Sequence, residues 1–329
     1  MSDNEASHRG AAGRAGDRDR RRIAVIGGTR YFGRHLVRRL HEAGHQVTVI
    51  NRGSTAPPPG AGLLVADRDD ERALAGALGS RDFDTVIDQV CYTPAQAAVA
   101  ARVFGGRTAR YVMTSTIEVY DPATGAPAPA GPAAPLPEGT VDPLTWPVRP
   151  ELPWHDADFR EARYAEGKRQ AEAVLAGAFA ARGVPFVTVR SAHVLGGGAR
   201  EFTGRLEHYV RRVRDGADIA VHRRVRPTVF IHHDEIADLL RWAALGDFTG
   251  PVNACSHGLL DVYALGATIA DRTGRRPRYR TVGADASPFS FDRFYAMSNA
   301  RAERLGFRFS HTSDWLPEAV TDTLTAMAR

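Results

Sequence analysis

Tyr164 and Lys168 stand four residues apart in the stretch YAEGK. On a helix that spacing puts two side chains on one face, a single turn apart. A phenol with a pKa of about 10 is a weak base at neutral pH, and a neighbouring cation favours the phenolate and lowers that pKa. The pair is therefore a candidate for moving a proton to or from a hydroxyl or ketone. Composition sharpens the point. The chain has 43 basic residues, and Lys168 is the only lysine among them. Guanidinium is forked and always charged, whereas an ammonium is a compact point charge on a slim stem. A position that keeps lysine against so strong a bias asks for the ammonium.

A second candidate is GGTRYFG, residues 27–33, between an apolar run at 23–26 and a helix with Phe32, Leu36, Val37 and Leu40 at helical spacing. Glycines in such a turn let a phosphate approach the helix N-terminus. Gly27, Gly28, Thr29, Arg30, Tyr31, Phe32 and Gly33 are accordingly candidate dinucleotide contacts. Cofactor choice turns on the end of the next strand, where an NAD site usually offers a carboxylate to the ribose. The chain has Asn51 and Arg52 there instead. Arg30 and Arg52 either grip a 2′-phosphate, which predicts NADP over NAD, or lie along the adenosine without selecting.

The elements that must position these residues alternate. Strands are expected at 23–26, 46–50, 63–67, 84–90, 109–116 and 185–190, with helices after 32, after 70, at 94–104 and at 159–182. That rhythm predicts an α/β fold: a Rossmann-type doubly wound parallel sheet with a smaller C-terminal α/β substrate lobe. Ten of the twenty prolines fall in 121–153, which reads as a long irregular loop. Trp146 and Trp154 near its end suggest a lid with stacking surface over a ligand. Later elements are expected as helix 203–214, extended 227–231, and helices 234–244, 261–273 and 315–327. The organisation expected is a basic tail over 1–22, a dinucleotide domain over 23–193, and a substrate lobe over 194–329 that interleaves with the sheet near 227–245.

From about residue 22 the chain resembles the extended short-chain dehydrogenase/reductase superfamily, in its NAD-dependent epimerase/dehydratase group. The glycine turn is similar to that family's GxxGxxG, with Arg30 at the middle glycine. TSTIEVY (114–120) resembles the catalytic Ser/Thr segment, YAEGK the YxxxK pair, and FIHHDEIA (230–237) and SNARAERLGF (298–307) late family segments. The resemblance implies that Thr116, Tyr164 and Lys168 are catalytic, that Lys168 also binds the nicotinamide ribose, and that Asp67 with Arg68 lies at the adenine. Glu118 falls where dehydratases keep a carboxylate, but Ile117 replaces the acid before it, which disfavours sugar 4,6-dehydration. His193 takes the place of a substrate-touching Asn of sugar-nucleotide epimerases. The diphosphate-gripping Arg of those enzymes is Thr228 here, with Arg223, Arg224 and Arg226 nearby. Glu118, His193 and Arg226 are the substrate candidates. The implied activity is epimerase-like hydride transfer at a secondary alcohol or ketone of a sugar, nucleotide-sugar or nucleoside-type molecule. A ketoreductase that consumes NADPH is the alternative. The GGTR turn is also similar to an atypical branch with chloroplast stem-loop RNA-binding proteins, so a non-catalytic RNA-binding member is a third reading.

Composition narrows partners. Two cysteines, Cys91 and Cys255, make no disulfide framework and suggest a reducing, cytoplasmic setting. No run approaches the roughly 18 apolar residues of a membrane span, and the first residues lack a signal-peptide pattern. Of the formal charge of +5, the first 22 residues, with six arginines against four acids, supply +2, which disfavours nucleic acid as the partner. No metal site is expected, and a homodimer is left open.

Overall fold

Residues 23–26 of the first strand are all buried, and successive side chains enter different cores, as a sheet covered on both faces requires. Ile23 and Val25 enter one hydrophobic cluster while Ala24 and Ile26 enter another. The computed structural model describes residues 20–127 and 134–329. The expected tail, apart from residues 20–22, and residues 128–133 of the Pro-rich loop lie outside the described residues.

The first half runs β1 (Arg22–Ile26), α1 (Tyr31–Glu42), β2 (Gln46–Asn51), β3 (Gly62–Val65), α2 (Glu71–Leu78), β4 (Thr85–Asp88), α3 (Pro94–Phe104) and β5 (Tyr111–Thr116). After the Pro-rich loop come α4 (Ala157–Ala162), α5 (Tyr164–Ala180), β6 (Phe186–Ser191), β7 (His193–Leu195), α6 (Arg205–Asp215) and β8 (Asp218–His222). The chain continues through β9 (Phe230–His232), α7 (His233–Leu245), β10 (Gly250–Ala254), α8 (Val262–Thr273), β11 (Arg278–Val282), α9 (Ala300–Arg304) and α10 (Thr312–Met327). Seven parallel strands form the main sheet in the order β10-β6-β5-β4-β1-β2-β3. The order reverses between β1 and β4, so the crevice at their C-terminal ends is the natural ligand position of this doubly wound architecture.

α1 and α7 cover one face through Leu36, Val37, Leu40, Ile236, Leu239 and Leu240. α2, α3 and α5 cover the other through Leu74, Leu78, Ala97, Ala100, Phe104, Leu175 and Phe179. A third cluster joins α6, α8 and α10 in the smaller lobe, around Tyr209, Val213, Leu265 and Trp315. Among the described residues no helix is long and apolar enough to cross a membrane.

Two expectations need correction. The single helix 159–182 is two helices, broken at Arg163, whose φ of −117° and ψ of 26° are not helical, and Tyr164 opens the second. The tryptophans of the Pro-rich loop are anchors and not a free stacking surface. Trp154 is 2 % exposed, donates to Arg149 O at 2.8 Å and packs edge-on against Phe159. Trp146 is half-buried beneath the Arg169 guanidinium.

α5 carries a row of buried polar side chains, each tied to a different segment. Arg169 reaches Val119 O and Thr124, while Gln170 accepts from Arg149 N. Glu172 meets Arg190 of β6 at 2.6 Å with both side chains fully buried, and Arg190 also donates to Tyr120 Oη, Glu138 O and Val141 O. Burial alone would pull the Arg190 pKa down, but Glu172 outweighs it and the guanidinium stays charged. Breaking one partner of such a pair leaves an uncompensated buried charge. Glu172→Ala is therefore expected to cost about 3–5 kcal/mol of unfolding free energy by urea denaturation. A loss within about 1 kcal/mol would contradict that role.

Candidate active site

The turn after β1 is built for close approach. Gly27 and Gly28 have φ of 91° and 77°, in the left-handed region that favours glycine. A Cβ on Gly33 would lie 2.9 Å from Gly28 Cα and 2.2 Å from Gln89 Oε1, so only glycine fits there. Arg30 caps α1 without a side-chain hydrogen bond, which leaves the amides of the first turn to whatever binds outside. Tyr31 holds φ at 46°, a strained value for a bulky residue. Its hydroxyl donates to Gly196 O at 3.0 Å and its ring stacks on His233, so the strain is held by the smaller lobe. The Tyr31 side chain is thus spent on this contact, while Phe32 packs half-buried against the core.

At the end of β2 the Asn51 amide folds its own turn, donating to Thr55 O and accepting from Gly53 N. Arg30 and Arg52 are exposed. After β3, Asp67 is exposed and accepts from Asp69 N. Arg68 turns inward instead, bonding Asp88 at 2.9 Å and the carbonyls of Val90 and Gln96. It is an internal strut, and Asp88 more than offsets the burial that would lower its pKa.

Thr116, Tyr164 and Lys168 come together at the C-terminal end of β5. Thr116 is half-buried, and its Oγ1 accepts from Glu118 N at 3.2 Å. The Tyr164 phenol is pushed up, first by burial and then by Tyr92, against the downward pull of Thr116. The Lys168 ammonium sits 5.9 Å from the Tyr164 ring centre. Although 37 % of Tyr164 as a residue is exposed, its hydroxyl is enclosed. Lys168 is 2 % exposed and donates to Thr114 O at 2.8 Å, and burial lowers its pKa to about 8.

Of the substrate candidates, Glu118 is half-buried with its carboxyl pushed up by burial, and the Tyr295 hydroxyl faces it without a full hydrogen bond. His193 is buried among Phe230, Phe289, Phe291 and Tyr295, its Nε2 unpartnered and its pKa lowered by burial to about 3. Arg226 is exposed and meets Phe291 only through its backbone. Thr228 is fully buried, its hydroxyl locked on Tyr295 O.

Three side chains that sequence reading missed border the same region. Gln89 lies across the glycine turn with a buried, unpartnered Nε2. Tyr92 carries the Lys168 ammonium over its ring and lies tilted beside the ring of Tyr164. Arg205 lies over Phe289 and acts electrostatically on Tyr164, Glu118 and His193. For Arg205 a signal did exist, since a cation at the first residue of a helix opposes the helix dipole. His35, His233 and Asp234 offer ligand atoms within 4.8 Å of one another. Asp234 is already bonded to His35 and Arg39 at 2.8 Å each, so the cluster works as a joint between α1 and α7.

A doubly wound sheet with a glycine turn at its switch point is a Rossmann-type α/β fold. Residues 23–114 match the model of the NAD dependent epimerase/dehydratase family. Over 143 residues it is 32 % identical to 2′-dehydrokanamycin reductase of Streptomyces kanamyceticus, a match covering 43 % of this chain and 40 % of the reductase. Its fold resembles the Bordetella bronchiseptica enzyme WbmH in complex with NAD+, with a TM-score of 0.68, 18 % identity, and 94 % and 99 % of the two chains covered. It also resembles UDP-glucose 4-epimerase of Thermotoga maritima, solved with UDP-glucose, with a TM-score of 0.69, 16 % identity, and 94 % and 100 % covered.

The joint between α1 and α7 has a pH signature. Hydrogen bonding from His35 holds the Asp234 carboxyl well below its usual range, with Arg39 adding to the effect. A depressed carboxyl contributes stability above its unfolded pKa of about 4, and that contribution fades as pH falls below it. Wild-type protein is expected to exceed Asp234→Asn in stability at pH 7 and to lose part of that margin by about pH 3, measured by chemical denaturation. A margin equal at both values would show that the carboxylate charge contributes nothing.

Proposed function

We propose that this chain is a nicotinamide-dependent oxidoreductase that moves hydride at a secondary alcohol or ketone of a sugar-like molecule. The observation that carries the reading is the gathering of Thr116, Tyr164 and Lys168 at one strand end, two strands along from the glycine turn. The cofactor, when bound, supplies or accepts the hydride. Gly27, Gly28 and Gly33 leave room for its phosphates, and the uncapped first turn of α1 offers amides to them. The chain's own part is proton handling. Burial keeps the Tyr164 phenol protonated, which suits it to donate to a ketone oxygen that Thr116 also holds. Lys168 supplies the positive charge beneath.

Net reduction of a sugar ketone is the form favoured here. A protonated donor fits that direction, and the relative of 32 % identity bears a reductase's name. Thr228, locked on Tyr295 O, gives a nucleotide diphosphate no cation. Epimerisation of a nucleotide-linked sugar is the second reading, and Arg205 favours it, because its guanidinium over Phe289 makes no ion pair among the described residues. Tyr164→Phe is expected to lower kcat/KM at least about 100-fold with the fold intact, and Lys168→Arg to fail nearly as badly. The assay follows cofactor absorbance and isomer interconversion on keto-aminoglycosides, sugar ketones and nucleotide sugars. Stoichiometric cofactor loss supports the reductase, and interconversion without loss the epimerase. Tight, salt-sensitive RNA binding with neither would overturn both.

For the cofactor we propose NADP over NAD. No carboxylate stands at the end of β2, the Asn51 side chain is spent on its own turn, and Arg30 and Arg52 are exposed without ion pairs among the described residues. Arg52→Ala should weaken NADPH binding about tenfold in titration calorimetry and leave NADH binding nearly unchanged. Equal losses for both cofactors would defeat the preference.

A further inference from the structure

We propose that Tyr92 is a positioning residue that holds the Lys168 ammonium on the face of its ring, where a buried lysine would ordinarily take a carboxylate. The Lys168 Nζ lies 4.5 Å from the centre of the Tyr92 ring, and its one hydrogen bond goes to Thr114 O at 2.8 Å. Among the described residues it makes no ion pair. The nearby acids are already engaged: Asp88 at the end of β4 is bound by Arg68, and Glu172 on α5 by Arg190. The Cys91 thiol is pushed up to about 11 by burial and so stays neutral. Every charged group facing the ammonium is thereby accounted for. Burial, the largest effect, works against it, Asp88 and Glu172 favour it, and Arg68 opposes it. What remains is a carbonyl and a ring. A desolvated cation over an aromatic face is the setting in which cation–π attraction is strongest.

The Tyr92 backbone is fixed from both sides. Tyr92 N donates to Gln96 Oε1 at 2.7 Å, and the next residue, Thr93, caps α3. On the other side α5 passes so close that a Cβ on Gly167 would lie 2.4 Å from Tyr92 O. The Tyr92 ring also lies 6.2 Å from that of Tyr164, tilted by 43°, so the same aromatic side chain borders both ends of the YAEGK pair.

The solitary lysine makes the test direct. Protein carrying 13C at lysine Cε shows one side-chain signal, and its pH titration reports Lys168 alone. The wild-type midpoint is expected near 8. Tyr92→Phe keeps the face and leaves the midpoint in place, and Tyr92→Leu removes it and lowers the midpoint by about one pH unit. Tyr92→Trp offers a better face and raises it, an arm that stands even if the leucine variant does not fold. Equal midpoints in the wild type and the leucine and tryptophan variants would overturn the proposal, as would a phenylalanine variant that shifts as far as leucine. The catalytic consequence rests on the proposed hydride chemistry, but the NMR midpoint does not. Should Tyr164→Phe retain activity while the lysine midpoint follows the ring, the reaction fails and the positioning role stands.

Discussion

The fully buried pair of Glu172 and Arg190 is the constraint on which the end of the sheet that gathers Thr116, Tyr164 and Lys168 depends. It joins α5, which carries Tyr164 and Lys168, to β6, the strand beside β5 and Thr116. Arg190 uses its remaining donors on Tyr120 and on the backbone at 138 and 141, so one guanidinium also secures the Pro-rich segment. Such pairs add little net stability compared with a well-packed apolar substitute, because desolvation offsets the attraction. What this one fixes is geometry: a helix, a strand and a loop cannot shift independently while its hydrogen bonds are all satisfied.

The same dryness governs the chemistry. Enclosure moves the two titrating partners apart, the phenol up from its ordinary value and the ammonium down. A protonated tyrosine and a barely held ammonium then lie within one helical turn, and the second is sensitive to whatever faces it. Aromatic and carbonyl groups can tune a cation without neutralising it, whereas a carboxylate would fix its charge.

Much of this was legible in the chain itself, and the reasons are local. The glycine turn, the strand before it and the helix after it are contiguous, so their meaning survives without tertiary knowledge. The YAEGK spacing is likewise set by a single helix, and α3 appears at its expected bounds because Thr93 and Pro94 mark its start. What escaped depends on distant approach. Arg68 looked like a ligand contact, but it is 20 residues from Asp88, the acid that draws it inward. Tyr92 gained its role only because α5 packs against the loop after β4. β10 was missed because GPVNA opens with the two residues least at home in a strand. An edge position tolerates them, with Pro251 at the rim of the sheet.

That edge strand has a consequence for synthesis. β6 pairs with β5 on one side as soon as both have emerged, yet its other side is filled only by residues 250–254. Roughly 60 residues separate the two strands, a gap of about 3–12 s at ribosomal rates of ~5–20 residues per second. During that interval the nascent chain carries an unpaired, β-branched edge built around Val187 and Val189. The helix α7, which covers β4, β5 and β6 in the folded chain, ends only five residues before β10 begins, so most of that interval passes before it is complete.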